Sequence, residues 1–446
     1  MKTILILEDN AERIADFVSA VRKLGDDYEL RVWKDAHSMC KECEASFVSA
    51  ALISLDHDLN PQPGAVVDPG CGLDAAKFLA DFLPVCPVLV HSSNTDQAYS
   101  MQNEFRFSGW TVDRIGPLGG GWVASSWLPK AQEILRTHSN SWRIDLPADH
   151  ATRVDRMLVS LDGLSIGDAL GEMFAYRPAA APDRIRSHEL PSGPWFHTDD
   201  TEMAISIAAV LKSHGCLHQD ALAKRFYRRW ERDPERGYGR MARIQMREML
   251  MGESWRVTSP RAFGGSGSKG NGGAMRVAPL GGYFADDPDR AAAEAQASAV
   301  VTHAHPEGVA GTVATAVAAS AAWRFKQMAP SQRRELLFGE VLRLTPESEV
   351  RRKLLLATHI PPETDSEVAA QTLGCGELVT APDTVPFGIW VVSWHLDDYV
   401  AAVSETIKVG GDCDTNAAIV GGIVALSVGR EGIPGDWLQA RESIRF

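Results

Sequence analysis

The 446-residue chain is 45% apolar with a formal net charge of −13, which excludes a disordered chain and a broad electrostatic grip on nucleic acid, leaving room only for a local basic pocket for a phosphate. Its length exceeds one ordinary core, so two or three domains are expected. No apolar run is long enough to cross a bilayer, and MKTILILEDN lacks a signal-peptide cleavage pattern, so a cytoplasmic protein without a membrane partner is expected.

Residues 1 to about 136 alternate strand and helix signals. TILILED is a short apolar run ending in acids, AERIADFVSAVRKLG has helical spacing and stops at Gly25, and YELRVWKDA reads as a strand. Cys40 and Cys43 follow as a lone CxxC in a polar helical stretch. With no second pair to complete a zinc site, and seven scattered cysteines in all, they read as ordinary thiols. AALISLDHDL is a buried strand, GLDAAKFLADFL a helix, CPVLVHSSN a strand, DQAYSMQNEFRFSG a helix and TVDRIGP the last strand. Five strands with intervening helices predict a doubly wound parallel α/β sheet, whose ligands bind beyond the carboxyl ends of the strands. Those ends carry Glu8 and Asp9, then Asp56, His57 and Asp58, then His91, Ser92, Ser93 and Asn94.

This pattern resembles the response-regulator receiver domain. Glu8 and Asp9 match its acidic pair, Asp56 its phospho-acceptor, and Ser92 or Ser93 its hydroxyl. Gly116 stands before Pro117 where receivers carry a lysine, which puts ordinary phosphorelay switching in doubt. His57 and His91 make the domain similar to the receiver offshoot proposed to process cyclic phosphates, where two histidines near a phosphate act as acid and base. The other reading has them hydrogen-bonding acids at a decayed site. The receiver-like domain is placed at 1–137, a linker at 138–152 around the polar HSNSWRIDLPADHATR, and a second domain at 153–446.

In the second domain strand signals fade, and alanine-rich helical stretches broken by glycine turns predict an all-α bundle. HTDDTEMAISIA places Thr198, Asp199, Asp200 and Thr201 at a helix start, and alone it reads as a cap. GGDCDT places Asp412, Asp414 and Thr415 before another helix, and alone it reads as a turn. Together the two clusters offer six oxygen ligands, suited to two Mg²⁺ or Mn²⁺ ions roughly 3.5–4 Å apart. GNGGAMRVAPLG is a loop that lets backbone N–H groups approach a phosphate-bearing ligand, GDALGEMF sets two glycines around Asp168, and VTHAHPEG offers His303 and His305.

In order, GDALG, HTDDT, RGYG, GNGGAMR, VTHAHP and GGDCDT resemble the ADP-ribosylglycohydrolase family over roughly residues 155 to 430. The resemblance implies an all-helical domain with a binuclear magnesium centre held by Thr198, Asp199, Asp200, Asp412, Asp414 and Thr415. It puts Asp168, Asn271, Gly272, Gly273, Met275 and His303 at the ADP-ribose. It implies cleavage at C1″ of the distal ribose, with Asp200 a candidate for orienting water. Cys413 fills a position that is often threonine and is expected to point away from the metals. Family members carry a glutamate where this chain has Ala175, and Glu172, on the same helical face, is its candidate replacement. The implied substrate is a small ADP-ribose-containing molecule, such as ADP-ribose 1″,2″-cyclic phosphate given the fused first domain, or an ADP-ribosylated protein of the arginine type. The competing readings are a phosphorylation-regulated signalling protein and an ADP-ribose reader without metals.

Overall fold

The computed structural model describes residues 1–446 apart from 63, 65, 66, 83, 139–145, 188 and 362, and apart from the side chains of 107 and 331. The chain forms two compact units, Met1–Leu146 and Pro147–Phe446. Residues 139–145 of the expected linker, and the last residue of the expected helix over 72–83, lie outside the described residues. The linker's final residues are helical, because the first helix of the second unit begins at His150.

The first unit is a parallel sheet of β1 (Lys2–Leu7), β2 (Tyr28–Trp33), β3 (Ala50–Leu55), β4 (Val88–His91) and β5 (Val112–Ile115). The order is β2-β1-β3-β4-β5, a doubly wound order whose switch point falls between β1 and β3. Both faces are covered, so β1 reads as a continuous apolar run rather than an alternation. Leu5 and Leu7 join a core with Met39, Leu79 and Phe105, while Ile4 and Ile6 join Phe17, Trp127 and Ile134 on the other face. Helix α1 (Ala11–Arg22) starts where Asn10 accepts from the Glu12 and Arg13 N–H groups. Then come α2 (Ala36–Glu42), α3 (Gly72–Ala80) and α4 (Thr95–Phe107). Gly72 is required where α3 leaves β3, since a Cβ there would lie 2.0 Å from the Asp56 carbonyl oxygen. A turn over Val123–Trp127 and α5 (Leu128–Thr137) close the unit, and the strand-helix count of the sequence did not include them. All seven cysteines are free, and burial pushes the Cys40 thiol up to about 11.

Among the described residues the second unit is built of helices and turns, with two isolated bridges. Its axis is α6 (His150–Phe174), which packs on α7 (Asp199–His214) and on α9 (Cys413–Val428), while α8 (Pro306–Phe325) packs on α9. Gly163, Gly167 and Gly171 recur at helical spacing along α6 and meet the α9 backbone directly. A Cβ on them would lie 2.4 Å from Gly421 O, 2.0 Å from Ala417 O and 2.4 Å from Cys413 O. Gly410 and Gly411, both in the left-handed region, turn the chain into α9. Among the described residues no helix is long and apolar enough to cross a membrane.

His214 ends α7 with its Nδ1–H donated to Val210 O at 3.1 Å. Burial, with His218 and Arg225 nearby, pushes its pKa down to about 4. An unfolded histidine titrates near 6.5, so below that pH the unfolded chain takes up a proton that the folded chain refuses. Stability is therefore expected to fall as pH drops from about 6.5 towards about 4, by at most about 1.4 kcal/mol per pH unit. Thermal melts between about pH 7 and pH 5 should show a slope that is shallower in His214→Asn. Equal slopes would contradict the assignment.

Candidate active site

The two hydroxyl-carboxylate clusters, two hundred residues apart in sequence, face one cavity of about 960 Å³ in the second unit. Asp199 and Asp200 at the start of α7, and Asp412, Asp414 and Thr415 at the start of α9, form its acidic wall. Gly270, Asn271, Gly272, Met275 and His303 also line it, with Arg240 and Lys269 as cationic groups. The volume falls in the range of small-molecule sites.

Asp168 does not line the cavity. It is fully buried behind the first cluster and accepts from Thr198 N at 3.0 Å, Thr198 Oγ1 at 2.9 Å, Thr201 N at 3.1 Å and Thr201 Oγ1 at 2.5 Å. It props the turn that carries Asp199 and Asp200 rather than lining the cavity, where the sequence reading had expected it at the substrate. Burial, and then the charge of Asp414, push its carboxyl up to about 6. Thr198 likewise stays off the cavity lining: its hydroxyl donates to Asp168 and stands 3.3 Å from Asp200 Oδ2.

The remaining acids carry the electrostatic signature of a cation site. Burial, Asp414 and Asp168 push Asp199 and Asp200 well above the usual carboxylate range, and burial with Asp414 pushes Asp412 up to about 7. Asp200 Oδ1 is buried with no hydrogen-bond partner. Acids this close repel unless a cation neutralises them, and an all-oxygen donor set fits a hard divalent ion. The residues present therefore fit the expected metals. Asn271 Nδ2 donates to Asp412 Oδ2 at 2.6 Å and to Thr384 Oγ1 at 3.1 Å, which fixes the rotamer of Asp412.

Gly272 lies against His303, where a Cβ would come within 2.9 Å of the ring. Burial and the charge of Arg276 push His303 down to about 3, so it acts as a neutral imidazole, with Nδ1 2.7 Å from Thr302 Oγ1. Gly273, expected at the substrate, instead packs on α8: a Cβ there would lie 2.3 Å from Thr312 Oγ1. Its role is close helix approach. Glu172 is exposed at the end of α6 and is not on the cavity lining; burial and Asp414 raise its pKa. Cys413 Sγ lies 3.9 Å from Ile407 O, off the cavity lining.

Several residues of the site went unnamed in the sequence reading, Arg240 and Lys269 among them. Arg276, the last residue of GNGGAMR, is fully buried and donates to Ser298 O at 3.0 Å and Thr302 Oγ1 at 2.9 Å, its guanidinium 4.4 Å from the Phe226 ring centroid. It thereby holds the Thr302-His303 pair. Phe263 and Val379 are the two described non-glycine residues with positive φ, at 51° and 52°, and both line the cavity. For a β-branched residue such as Val379 this is a strained conformation of the kind found at ligand sites. The glycines beside them mark turns but do not indicate which side chains face the cavity.

In the first unit Glu8, Asp9 and Asp56 converge at the carboxyl ends of β1 and β3, with one oxygen of each within 4.8 Å of the others. Arg13 bridges them, 3.1 Å from Asp56 and 3.6 Å from Glu8. Asn60 donates N–H and Nδ2–H to Asp9 Oδ2, both at 2.9 Å. His57 Nδ1 lies 2.7 Å from Asp58 Oδ1, and the buried Ser92 hydroxyl accepts from Asn94 N. His91 is fully buried against Phe17 and Trp122, with Nδ1 2.7 Å from Ser54 Oγ and Nε2 3.6 Å from Glu8 Oε2. It has no open face for a substrate, which corrects the expectation that it acts directly as acid or base. Burial works to raise Glu8, but neighbouring His91 and Arg13 hold it below the usual range, while burial raises Asp56.

A family model described as ADP-ribosylglycohydrolase matches residues 149–445, more than half of the chain. The ADP-ribosylhydrolase ARH3 of Mus musculus is 27% identical over 329 residues, covering 66% of this chain and 89% of that protein. The ARH3 of Homo sapiens is 26% identical over 333 residues, covering 66% and 90%. The ADP-ribosyl-(dinitrogen reductase) glycohydrolase of Rhodospirillum rubrum is 25% identical over 294 residues, covering 64% and 89%. With two acidic turns meeting over one nucleotide-sized cavity, the chain belongs to the ADP-ribosylglycohydrolase family of hydrolases.

Proposed function

We propose that the second unit hydrolyses an ADP-ribosyl linkage at C1″ of the distal ribose and releases ADP-ribose, with two Mg²⁺ ions, or Mn²⁺, held by Asp199, Asp200, Asp412, Asp414, Thr415 and the Thr198 hydroxyl. The observation that carries this reading is the convergence of both acidic turns on one cavity of about 960 Å³. When bound, such ions supply Lewis-acid polarisation and neutralise the carboxylates. The chain's own residues do the rest. Asp200, whose Oδ1 has no protein partner, orients the attacking water. Asn271 holds Asp412, and Asp168 holds the turn that carries Asp199 and Asp200. Neutral His303 offers a hydrogen bond without adding charge. Arg240 and Lys269 suit the pyrophosphate.

The substrate class we favour is ADP-ribose attached to a protein, because the R. rubrum relative's name describes that activity. A second reading rests on the first unit. Its strand order, acidic pocket and half-buried His57 beside Asp58 suit a receiver-like domain that handles a cyclic phosphate, which would make ADP-ribose 1″,2″-cyclic phosphate the substrate of the whole chain. Regulation by phosphorylation of Asp56 fits less well, since Arg13 occupies its carboxylate. The test is product analysis by mass spectrometry with Mg²⁺, offering ADP-ribosyl-arginine protein and the cyclic phosphate in parallel, with a chelator control. Chelator-sensitive release of ADP-ribose from protein is the expected result. Turnover of the cyclic phosphate alone would replace it with the second reading, and no turnover of either would reject both.

A further inference from the structure

On the side of the Thr198–Asp200 turn away from the cavity, the end of the chain forms a strap. Trp195 N donates to Ala440 O at 2.7 Å and Glu442 N donates to Trp195 O at 3.0 Å, a short parallel bridge. Glu442 Oε1 accepts from His197 N at 2.9 Å and lies 3.0 Å from His197 Nδ1. Arg236 forks onto Glu442, with NH2 3.2 Å from Oε2, while its NH1 donates to His197 O at 2.8 Å and its carbonyl accepts from Asp199 N at 2.7 Å. The other edge of the His197 ring meets Glu202 of α7 at 3.0 Å.

With Asp168, this leaves every backbone N–H from His197 to Thr201 with a named acceptor: Glu442, Asp168, the Arg236 carbonyl, the Thr198 hydroxyl and Asp168 again. Two of the five depend on Glu442 and Arg236, which lie off the cavity lining. We propose that Glu442, through Arg236 and His197, is a positioning residue that holds Asp199 and Asp200 in metal-binding geometry from behind. This rests on the metal reading proposed above. Partners of metal ligands typically change metal affinity about 10–100-fold when removed, without touching the metal.

The test measures Mn²⁺ binding to the full chain from the electron paramagnetic resonance signal of the free ion, with thermal melts in chelator alongside. Glu442→Ala is expected to weaken Mn²⁺ binding about tenfold or more, and Glu442→Gln, which can still accept from His197 N, to recover most of it. Arg236→Lys, which loses the fork, should repeat the weakening. Trp437→Phe perturbs the packing of the same tail on Trp195 and Tyr399 without touching the turn. It should lower the melting temperature and leave Mn²⁺ affinity in place. Unchanged affinity in both Glu442→Ala and Arg236→Lys, or an equal loss in Trp437→Phe, would overturn the proposal. Loss of binding in Asp412→Ala but not in Glu442→Ala would reject the strap alone. Absence of Mn²⁺ binding by the wild type would reject the metal reading and the strap with it.

Discussion

Asp412→Ala is expected to lower ADP-ribose release about a thousandfold or more, an effect of about 4 kcal/mol on the barrier. Asp412 is the acid of the second cluster that Asn271 holds, and its removal leaves the Asn271 amide facing a gap. The same substitution has an opposite effect on the metal-free protein. Asp412 is one of the charges that push Asp199 and Asp200 upward, so deleting it relieves repulsion. Melting in chelator should therefore show Asp412→Ala no less stable than wild type. Adding divalent cation should stabilise the wild type, by about 2.7 kcal/mol at a hundredfold excess over the dissociation constant, and leave the variant unmoved. A variant that is merely misfolded would be destabilised in chelator, and a variant that kept full activity would remove the acidic wall from the chemistry.

Gly167→Ala is expected to destabilise the second unit by about 3 kcal/mol or more. The added methyl would sit 2.0 Å from Ala417 O and 2.6 Å from its carbon, and these are backbone atoms with no rotamer to yield. Relief requires α6 and α9 to part. Because α9 begins at the Asp412–Thr415 turn while α6 carries Asp168, parting the helices also pulls one acidic cluster from the other. Activity is thus expected to fall more than stability alone explains at temperatures where the variant stays folded. Gly339 supplies the control: it lies inside a helix, Pro330–Leu344, with nothing within 4 Å of an added Cβ. Gly339→Ala should stabilise by about 0.4–1 kcal/mol. Urea denaturation of both variants checks the pair, and equal effects would remove the helix-crossing explanation.

Local pattern in the sequence determined a good deal. The apolar runs TILIL, ALISL and VLV, each followed by acids or by His-Ser-Ser, specify buried parallel strands with polar carboxyl ends, because strand period and burial are local properties. The two acid-threonine turns and the small-residue helices behind them specify helix starts rich in oxygen ligands in the same way. Which of those residues reach a cavity is another matter. Asp168 sits in a motif of its own and Gly273 in the same motif as Asn271, yet Asp168 faces inward to hold the Thr198–Thr201 turn and Gly273 packs on Thr312 of α8. His91 ends a strand as a candidate acid or base, but the Phe17 and Trp122 rings seal it off. Glu442 carries no motif and reaches His197 only because the chain returns across a gap of 245 residues. Side-chain type and spacing are written locally, whereas which face is open is decided by packing between segments distant in sequence, and that is settled only when the helices and the tail close together.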